Sequence, residues 1–431
     1  MTAEIGVLNR LAVALAADSA VTLGGPSGKV YASSDKLFQL SDVAPVGIMV
    51  YGNADFLGRP WETIIKDHRR ALGATTYPTL AEYAQHFFAH LNASKRMLPP
   101  EAEDRALKNL VVGLFLDIRG EMEQALDEAS EKADGLDEGQ ITSVCSTVLS
   151  DRLKVILGRA PLEKEHDGQI QEVLAQYTQT IAEAKEGVFG KLPLSPESEA
   201  ILIQCALETL TRDYFGGAKS GLVFAGFGED EYFPSLAHFE CEGMLLGKIR
   251  LRDNGLAQIT ESNSATIIPF AQREAVTTFL EGMDAGLAGF VRASTSRLFF
   301  GAFDVALTML HERNSALAAE LNDRLRPELK KMLAKLMAEW KEKRRSLWSP
   351  VVDIVAALPK DELAAMAEAL VNLTKFRRRV TPERETVGGP IDVALISKGD
   401  GFIWVKRKHY FDPQLNPRAV ARYSNLGEPH V

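Results

Sequence analysis

MTAEIGVLNRLAVALAADSAVTLGG, residues 1–25, decides how the rest of the chain is read. Three readings compete for it. An apolar run followed by small residues has the outline of a secretory signal. Alternating apolar residues have the outline of a buried strand pair. Thr2, directly behind Met1, offers a third reading: removal of the methionine would expose a residue with both a hydroxyl and a free α-amine. A secretory signal needs a basic segment ahead of its apolar core. Here Glu4 comes first, Arg10 interrupts, and the uninterrupted run before Asp18 is short. The alternation of Ile5, Val7, Leu11, Val13 and Leu15 instead predicts a β-hairpin turning at Asn9-Arg10.

The composition frames that choice. The chain has 431 residues, 46% of them hydrophobic and 25% charged, as in a globular protein able to bury a sizeable core. No run approaches the roughly 18 apolar residues of a spanning helix, so no membrane partner is expected. A net charge of −9 argues against broad nucleic-acid binding. Three unpatterned cysteines, Cys145, Cys205 and Cys241, suit a reducing cytoplasm better than a disulfide framework.

Beyond the opening, residues 1–55 read as β-rich. GGPSGK (24–29) has the look of a phosphate-binding loop but lacks the GxxxxGK[ST] spacing, and Val30 stands where a hydroxyl is needed, so it reads as a hairpin tip. WETIIKDHRRALG and TLAEYAQHFFAHL predict two helices over 58–92, and 100–214 reads as charge-laced helix interrupted at Gly135 and KLPLSPES. Strand signals return over 221–262, helices follow to about 375, and GGPIDVALISKGDGFIWVKRKHYF supplies the last strands. Strands at both ends with helices between them predict an α+β fold with long helical inserts. His86 and His90 share a helix face, but no third ligand follows at a recognisable spacing, so no metal and no cofactor is expected. The basic stretch KKMLAKLMAEWKEKRRSLW (330–348) suits an amphipathic helix packed on its own domain, and alternatively one that meets an acidic surface, a membrane or a partner helix.

The third reading of the opening has definite chemistry. An α-amine with a pKa near 8 can accept the proton of its own residue's hydroxyl at neutral pH, so an N-terminal threonine carries its own general base. Such a site also needs a cation to lower the amine pKa, a carboxylate to fix the cation, and a backbone N–H for the oxyanion. Lys36 in KLFQL, Asp18 at the end of the second strand, and Gly52 after the apolar IMVY are candidates for these parts. Each has a plainer reading: Thr2 as a small residue after Met1, Lys36 as a solvated strand residue, Asp18 as a turn cap, Gly52 as a tight bend.

With those residues in place the sequence resembles the proteasome β-subunits and their bacterial homologues, which are N-terminal-nucleophile hydrolases. TAEIGVLNRLAVALAADSAVTL is similar to their opening T-x-x-h-G-h…A-A-D-x-x-x-T (h, apolar), SSDKLFQL to their K-[LI]-F strand, and VGIMVYGNADF to the strand ending in glycine. GLVFAGFGEDEYFPSLAHFECEG is similar to their central hairpin, and LPKDELAAMAEALVNLT with ETVGGPIDVALISKGDGFIWV to their closing helix and strands. The resemblance covers about 1–92, 218–292 and 358–405. It implies a four-layer αββα sandwich: a single proteasome-like domain with its core at about 1–92, 218–292 and 358–411. Helical insertions would occupy 95–217 and 293–357, and a tail 412–431. It also implies Thr2 as nucleophile, Asp18 and Lys36 as its charged support, Gly52 as oxyanion donor, and Thr22 as a residue whose backbone pairs with substrate.

The activity implied is cleavage of peptide or amide bonds by a homo-oligomer in the cytoplasm, with an unfoldase or other protein as a further partner. The family's R-D-x-x-S-G-G is replaced by PERETVGGP: Arg384 and Val387 stand where Asp and Ser are expected. Two other readings therefore stay open, a catalytically degenerate scaffold or regulatory subunit and a small-molecule amidase.

Overall fold

In the computed structural model the described residues are all but 1, 24–28, 95–98, 132–134, 191, 193, 382–386, 410 and 419–431. They form a mixed α+β structure with ten α-helices and two five-stranded sheets. By internal contacts the chain divides into two compact units, 1–34 with 258–398 and 403–412, and 35–257 with 399–402 and 413–431.

In the first unit, β1 (Ala3–Asn9) and β2 (Val13–Asp18) form the hairpin expected from the opening, with Glu4 opposite Ala17. A second hairpin, β3 (Val21–Leu23) and β4 (Lys29–Tyr31), follows. The tip of that hairpin lies outside the described residues. The sheet is completed from the far part of the sequence by β12 (Ala265–Ala271) beside β1, and by β13 (Ile391–Ser397) beside β2 with β14 (Gly401–Lys406) beyond it. Helices α7 (Glu274–Glu281), α8 (Ala285–His311), α9 (Ser315–Ala357) and α10 (Lys360–Val380) lie between β12 and β13.

Small residues decide the packing here. Ala12, Ala14 and Ala16 put bare methyl groups on the face that meets Ala364 and Ala367 of α10, so helix and sheet approach closely and Leu363, Leu370 and Val371 fill the remaining volume.

Asn9 closes the hairpin and does more. Its side-chain oxygen accepts from the N–H groups of Leu11 (2.9 Å) and Ala12 (3.2 Å). Its amide donates to the carbonyls of Val355 (3.0 Å) and Leu358 (2.9 Å) at the end of α9. The turn thus occupies residues 10–12, and Leu11, which the alternation placed with the buried residues, is 52% exposed. The Asx turn displaced it: the bulge of chain needed to reach the Asn9 side chain takes Leu11 out of the ladder.

The second unit holds β5 (Leu37–Gln39), β6 (Val46–Gly52), β9 (Ser220–Gly226), β10 (Ser235–Leu245) and β11 (Lys248–Gln258) in the order β11-β10-β9-β6-β5. Strands β7 (Asp55–Phe56) and β8 (Arg59–Pro60) form a small ribbon leading into α1 (Trp61–Leu72) and α2 (Leu80–Ala93). These two helices lay Trp61, Ile64, Phe87 and Phe88 on Val46, Ile48, Leu222 and Phe224. Helices α3 (Pro100–Ser130), α4 (Glu138–Leu157), α5 (His166–Phe189) and α6 (Pro196–Thr211) form a bundle with its own apolar core. Arg250 on β11 ties the bundle to the sheet. Its guanidinium, 3% exposed, donates to the carbonyls of Thr209 (2.8 Å), Leu210 (2.9 Å) and Tyr214 (3.1 Å) around the end of α6.

The α1–α2 pair buries His68. Its Nε2 lies 2.9 Å from His86 Nδ1, while His90 meets Asp67 at 3.2 Å. Among the described residues no such group has the arrangement of metal ligands. Burial, reinforced by His86 and His90, lowers the His68 pKa from 6.5 to about 3. The folded state therefore refuses a proton that the unfolded chain accepts below pH 6.5, and stability falls with pH across that window by up to about 1.4 kcal/mol per unit. Urea midpoints compared at pH 7 and pH 4.5 are expected to drop less in His68→Leu than in the parent chain.

Candidate active site

The five residues singled out in the sequence divide between the units. Thr2, Asp18 and Thr22 belong to the first, Lys36 and Gly52 to the second. In the first unit Thr2 stands immediately before β1, 5% exposed, and its Oγ1 is buried with no hydrogen-bond partner among the described residues. The next backbone amide, Ala3 N–H, donates to Asp18 Oδ1 at 3.0 Å. The other carboxylate oxygen, Oδ2, accepts from Gly388 N–H (2.9 Å) and Ala20 N–H (3.3 Å). One carboxylate thus fixes the start of β1, the exit of β2 and the approach to β13.

Two features of this arrangement escaped the sequence. Ser19, fully buried, continues the tie: its N–H donates to Gly388 C=O (3.2 Å) and its hydroxyl to Pro390 C=O (2.7 Å). Gly389 has φ +77°, and a Cβ there would sit 2.7 Å from the Ala32 Cβ, so only glycine fits. The glycine pair was visible as a motif, but its contribution is through backbone atoms, which no side-chain pattern announces. The segment PERETVGGP therefore meets the site through Gly388. Val387 is fully buried in the apolar core of the first unit, where the resemblance leads one to expect a serine. Arg384, Glu385 and Thr386 lie outside the described residues.

Thr22 is in the centre of β3, opposite Val30. Among the described residues no strand other than β4 pairs with β3.

In the second unit, Lys36 and Gly52 lie near one end of the same sheet. Lys36 is 5% exposed, and its carbonyl accepts from Val50 N–H at 2.8 Å, two residues before Gly52. Gly52 ends β6 with φ +83°, and a Cβ there would come within 2.4 Å of the Lys219 carbonyl oxygen. The following residue is held on both sides. Asn53 N–H donates to Lys219 C=O (3.1 Å), and Asn53 C=O accepts from Ser220 Oγ (3.1 Å), which in turn accepts from Trp61 Nε1 (2.9 Å). Beside it Tyr51 Oη lies 2.6 Å from His238 Nε2 and 3.3 Å from Glu240. Burial works against the Glu240 carboxylate, but Lys219 and Arg252 outweigh it and hold its pKa below the ordinary range. A cavity of about 350 Å³ opens from Asn53, lined by Asp55, Arg105, Asn109, Ser220 and Glu242.

No protein-family model matches the chain, and no curated protein matches it. Among solved structures it is similar to Anbu (ancestral beta-subunit) from Yersinia bercovieri, at 8% identity over 100% of both chains with a TM-score of 0.29. It is also similar to the Anbu Gly-1 mutant from Hyphomicrobium sp. strain MC1, at 9% identity over 99% of this chain and 100% of that one, with a TM-score of 0.26. Superpositions at that level do not establish a shared fold.

What the geometry can do chemically follows from the residues themselves. A buried hydroxyl without a partner costs free energy in the folded state. The backbone beside it is immobilised by a carboxylate, which supplies the rigidity that a reacting group needs. In none of the described elements does a helix long and apolar enough to cross a membrane occur.

Replacing Asp18 by alanine orphans three backbone N–H groups, two of them on segments far apart in sequence. The expected cost is about 3 kcal/mol in urea unfolding. Gly52→Ala meets both an unfavourable φ and a carbonyl oxygen, so it is expected to lower stability by more than about 1 kcal/mol. A variant as stable as the parent would refute the strand-end geometry.

Proposed function

We propose that the chain is a proteasome-like N-terminal threonine hydrolase that cleaves peptide or amide bonds once Met1 has been removed. The observation that carries this reading is Thr2: a buried hydroxyl with no partner, on a backbone fixed by the neighbouring Asp18 carboxylate. In the proposed reaction Thr2 Oγ attacks the carbonyl carbon while its own α-amine takes the hydroxyl proton. The oxyanion is received by the Gly52 N–H. The tetrahedral adduct collapses to an ester on Thr2 as the C–N bond breaks, the α-ammonium passes its proton to the substrate's departing amine, and water, deprotonated by the same α-amine, then hydrolyses the ester to release the acid and restore the Thr2 hydroxyl. Lys36 lowers the amine pKa and Asp18 supports Lys36, as the resemblance implies. The edge of β3 away from β4, which no other strand among the described residues pairs, suits an extended substrate, with the Thr22 backbone supplying strand-type hydrogen bonds.

The same reading takes the two five-stranded sheets and their helices as a four-layer αββα sandwich in one proteasome-like domain. It places the insertions at 95–217 and 293–357 and the tail at 412–431. It also proposes a cytoplasmic homo-oligomer that takes a peptide or small amide and is served by an unfoldase or another protein. A second reading, the non-catalytic scaffold, is favoured by Val387, because a core valine cannot donate to an N-terminal amine.

Intact-mass and N-terminal peptide analysis before and after an epoxyketone separates the two, since that electrophile needs a hydroxyl and a free amine on one residue. Expected are loss of Met1 and a single adduct on Thr2, with amide hydrolysis lowered about 1,000-fold or more in Thr2→Ala. Retained Met1 would overturn the hydrolase reading for this chain. Activity on small amides but not peptides would move the substrate class.

A further inference from the structure

The basic stretch 330–348 is helical throughout, in the middle of α9. Between it, α7 and α8, all within the first unit, lies a cavity of 880 Å³. That volume falls within the range of about 300–1,000 Å³ usual for small-molecule sites. Four side chains of α9 line it: Lys341, Arg344, Arg345 and Trp348. At about 100° per residue they fall within about 60° of the line through Lys341, a stripe about 11 Å long. Trp340 and Glu342 line the cavity from the two margins of that stripe. Arg292 joins them from α8 and Glu281 from α7.

The charges in this wall are not balanced. Arg344 pairs with Glu281 and lies 5.6 Å from the centre of the Trp340 ring. Its Nε is buried and has no hydrogen-bond partner among the described residues. Nearer the start of α9 cations find carboxylates one turn away, as Arg324 does in Glu320 and Lys331 in Glu328. Arg292, Lys341 and Arg345 have no such partner among the described residues, and neither has Glu342. Three unpaired cations thus share the cavity with one unpaired carboxylate. Like charges held together repel, and a polyanion placed between them removes the repulsion and gains charge-assisted hydrogen bonds.

The indoles narrow the choice of anion. A bare phosphate has no use for them and is far smaller than the cavity. Trp340 and Trp348 stand about two turns apart on the helix, with Lys341, Arg344 and Arg345 between them. A flat ring stacks on an indole face while a charged tail reaches the cations.

We infer that this cavity binds a nucleotide, with its base against an indole and its phosphates on Arg292, Lys341 and Arg345. Arg344 Nε gains the acceptor it lacks, and Glu342 accepts from a ribose hydroxyl or an exocyclic amine. The inference is independent of the hydrolase reading: no residue singled out for that chemistry lines the cavity, and binding is read without turnover.

The test titrates the full chain at low ionic strength, in the presence of a chelator, with ATP, adenosine and inorganic triphosphate, followed by calorimetry and tryptophan fluorescence. Expected is one ATP site per chain, with adenosine and inorganic triphosphate each at least about tenfold weaker because each keeps only part of the contacts. Replacing both Lys341→Ala and Arg345→Ala is expected to weaken ATP by about tenfold or more. Circular dichroism is expected to stay unchanged in that variant, since neither side chain has a protein partner to lose. Trp348→Leu is expected to weaken ATP and leave inorganic triphosphate as it was. Absence of ATP binding by the parent chain at millimolar concentration would overturn the site. Adenosine or inorganic triphosphate binding as tightly as ATP would overturn the nucleotide as its ligand. ATP affinity unmoved by the paired Lys341 and Arg345 substitutions and by Trp348→Leu would overturn the cavity as its place.

Discussion

Everything in the first unit hangs on one carboxylate. Asp18 sits where β2 leaves the sheet and holds three backbone N–H groups, from the residue after Thr2, from the chain beyond β2, and from the segment that enters β13. Hydrogen bonds to an ionised acceptor are stronger than neutral ones, and a buried carboxylate so surrounded is a rigid node. Ser19 repeats the tie one residue later with the same glycine. The consequence for function is positional. Thr2 is the first described residue and would otherwise be a fraying terminus; here it is drawn in and buried.

The second unit solves the same problem with sterics rather than charge. Gly52 is pressed against a carbonyl, Asn53 is hydrogen-bonded through both backbone groups, and Trp61 completes the chain of contacts from the first helix. A strand end of this kind has no freedom to adjust. That rigidity is what an oxyanion donor requires, and it equally explains the glycine by packing alone.

Much of the architecture was legible in the sequence, for a physical reason. Alternation in the opening, the continuous apolar run in VGIMVYG, and helical periodicity over 58–92 and 100–214 are consequences of burial on one or both faces. Thr2, Asp18, Lys36 and Gly52 were picked out because their chemistry is distinctive. What stayed hidden acts through the main chain or across long separations. The role of Gly388 is carried by its N–H and C=O, and Leu11 was misplaced because the Asn9 side chain, not the hydrophobic pattern, sets that turn.

The strand order of the first sheet also dictates when the protein can fold. β1 and β2 leave the ribosome long before their outer neighbours, β12 and β13, and 370 residues separate Asp18 from the Gly388 that completes its shell. At about 5–20 residues per second, translation of that interval takes about 20 to 75 seconds. Until β12 is made both edges of the nascent hairpin lack partners, and the β2 edge waits through the whole interval for β13. The second unit is nearly continuous in sequence and can close while this happens, so a hairpin made early is sealed late, and its unpaired edge is an aggregation hazard until then.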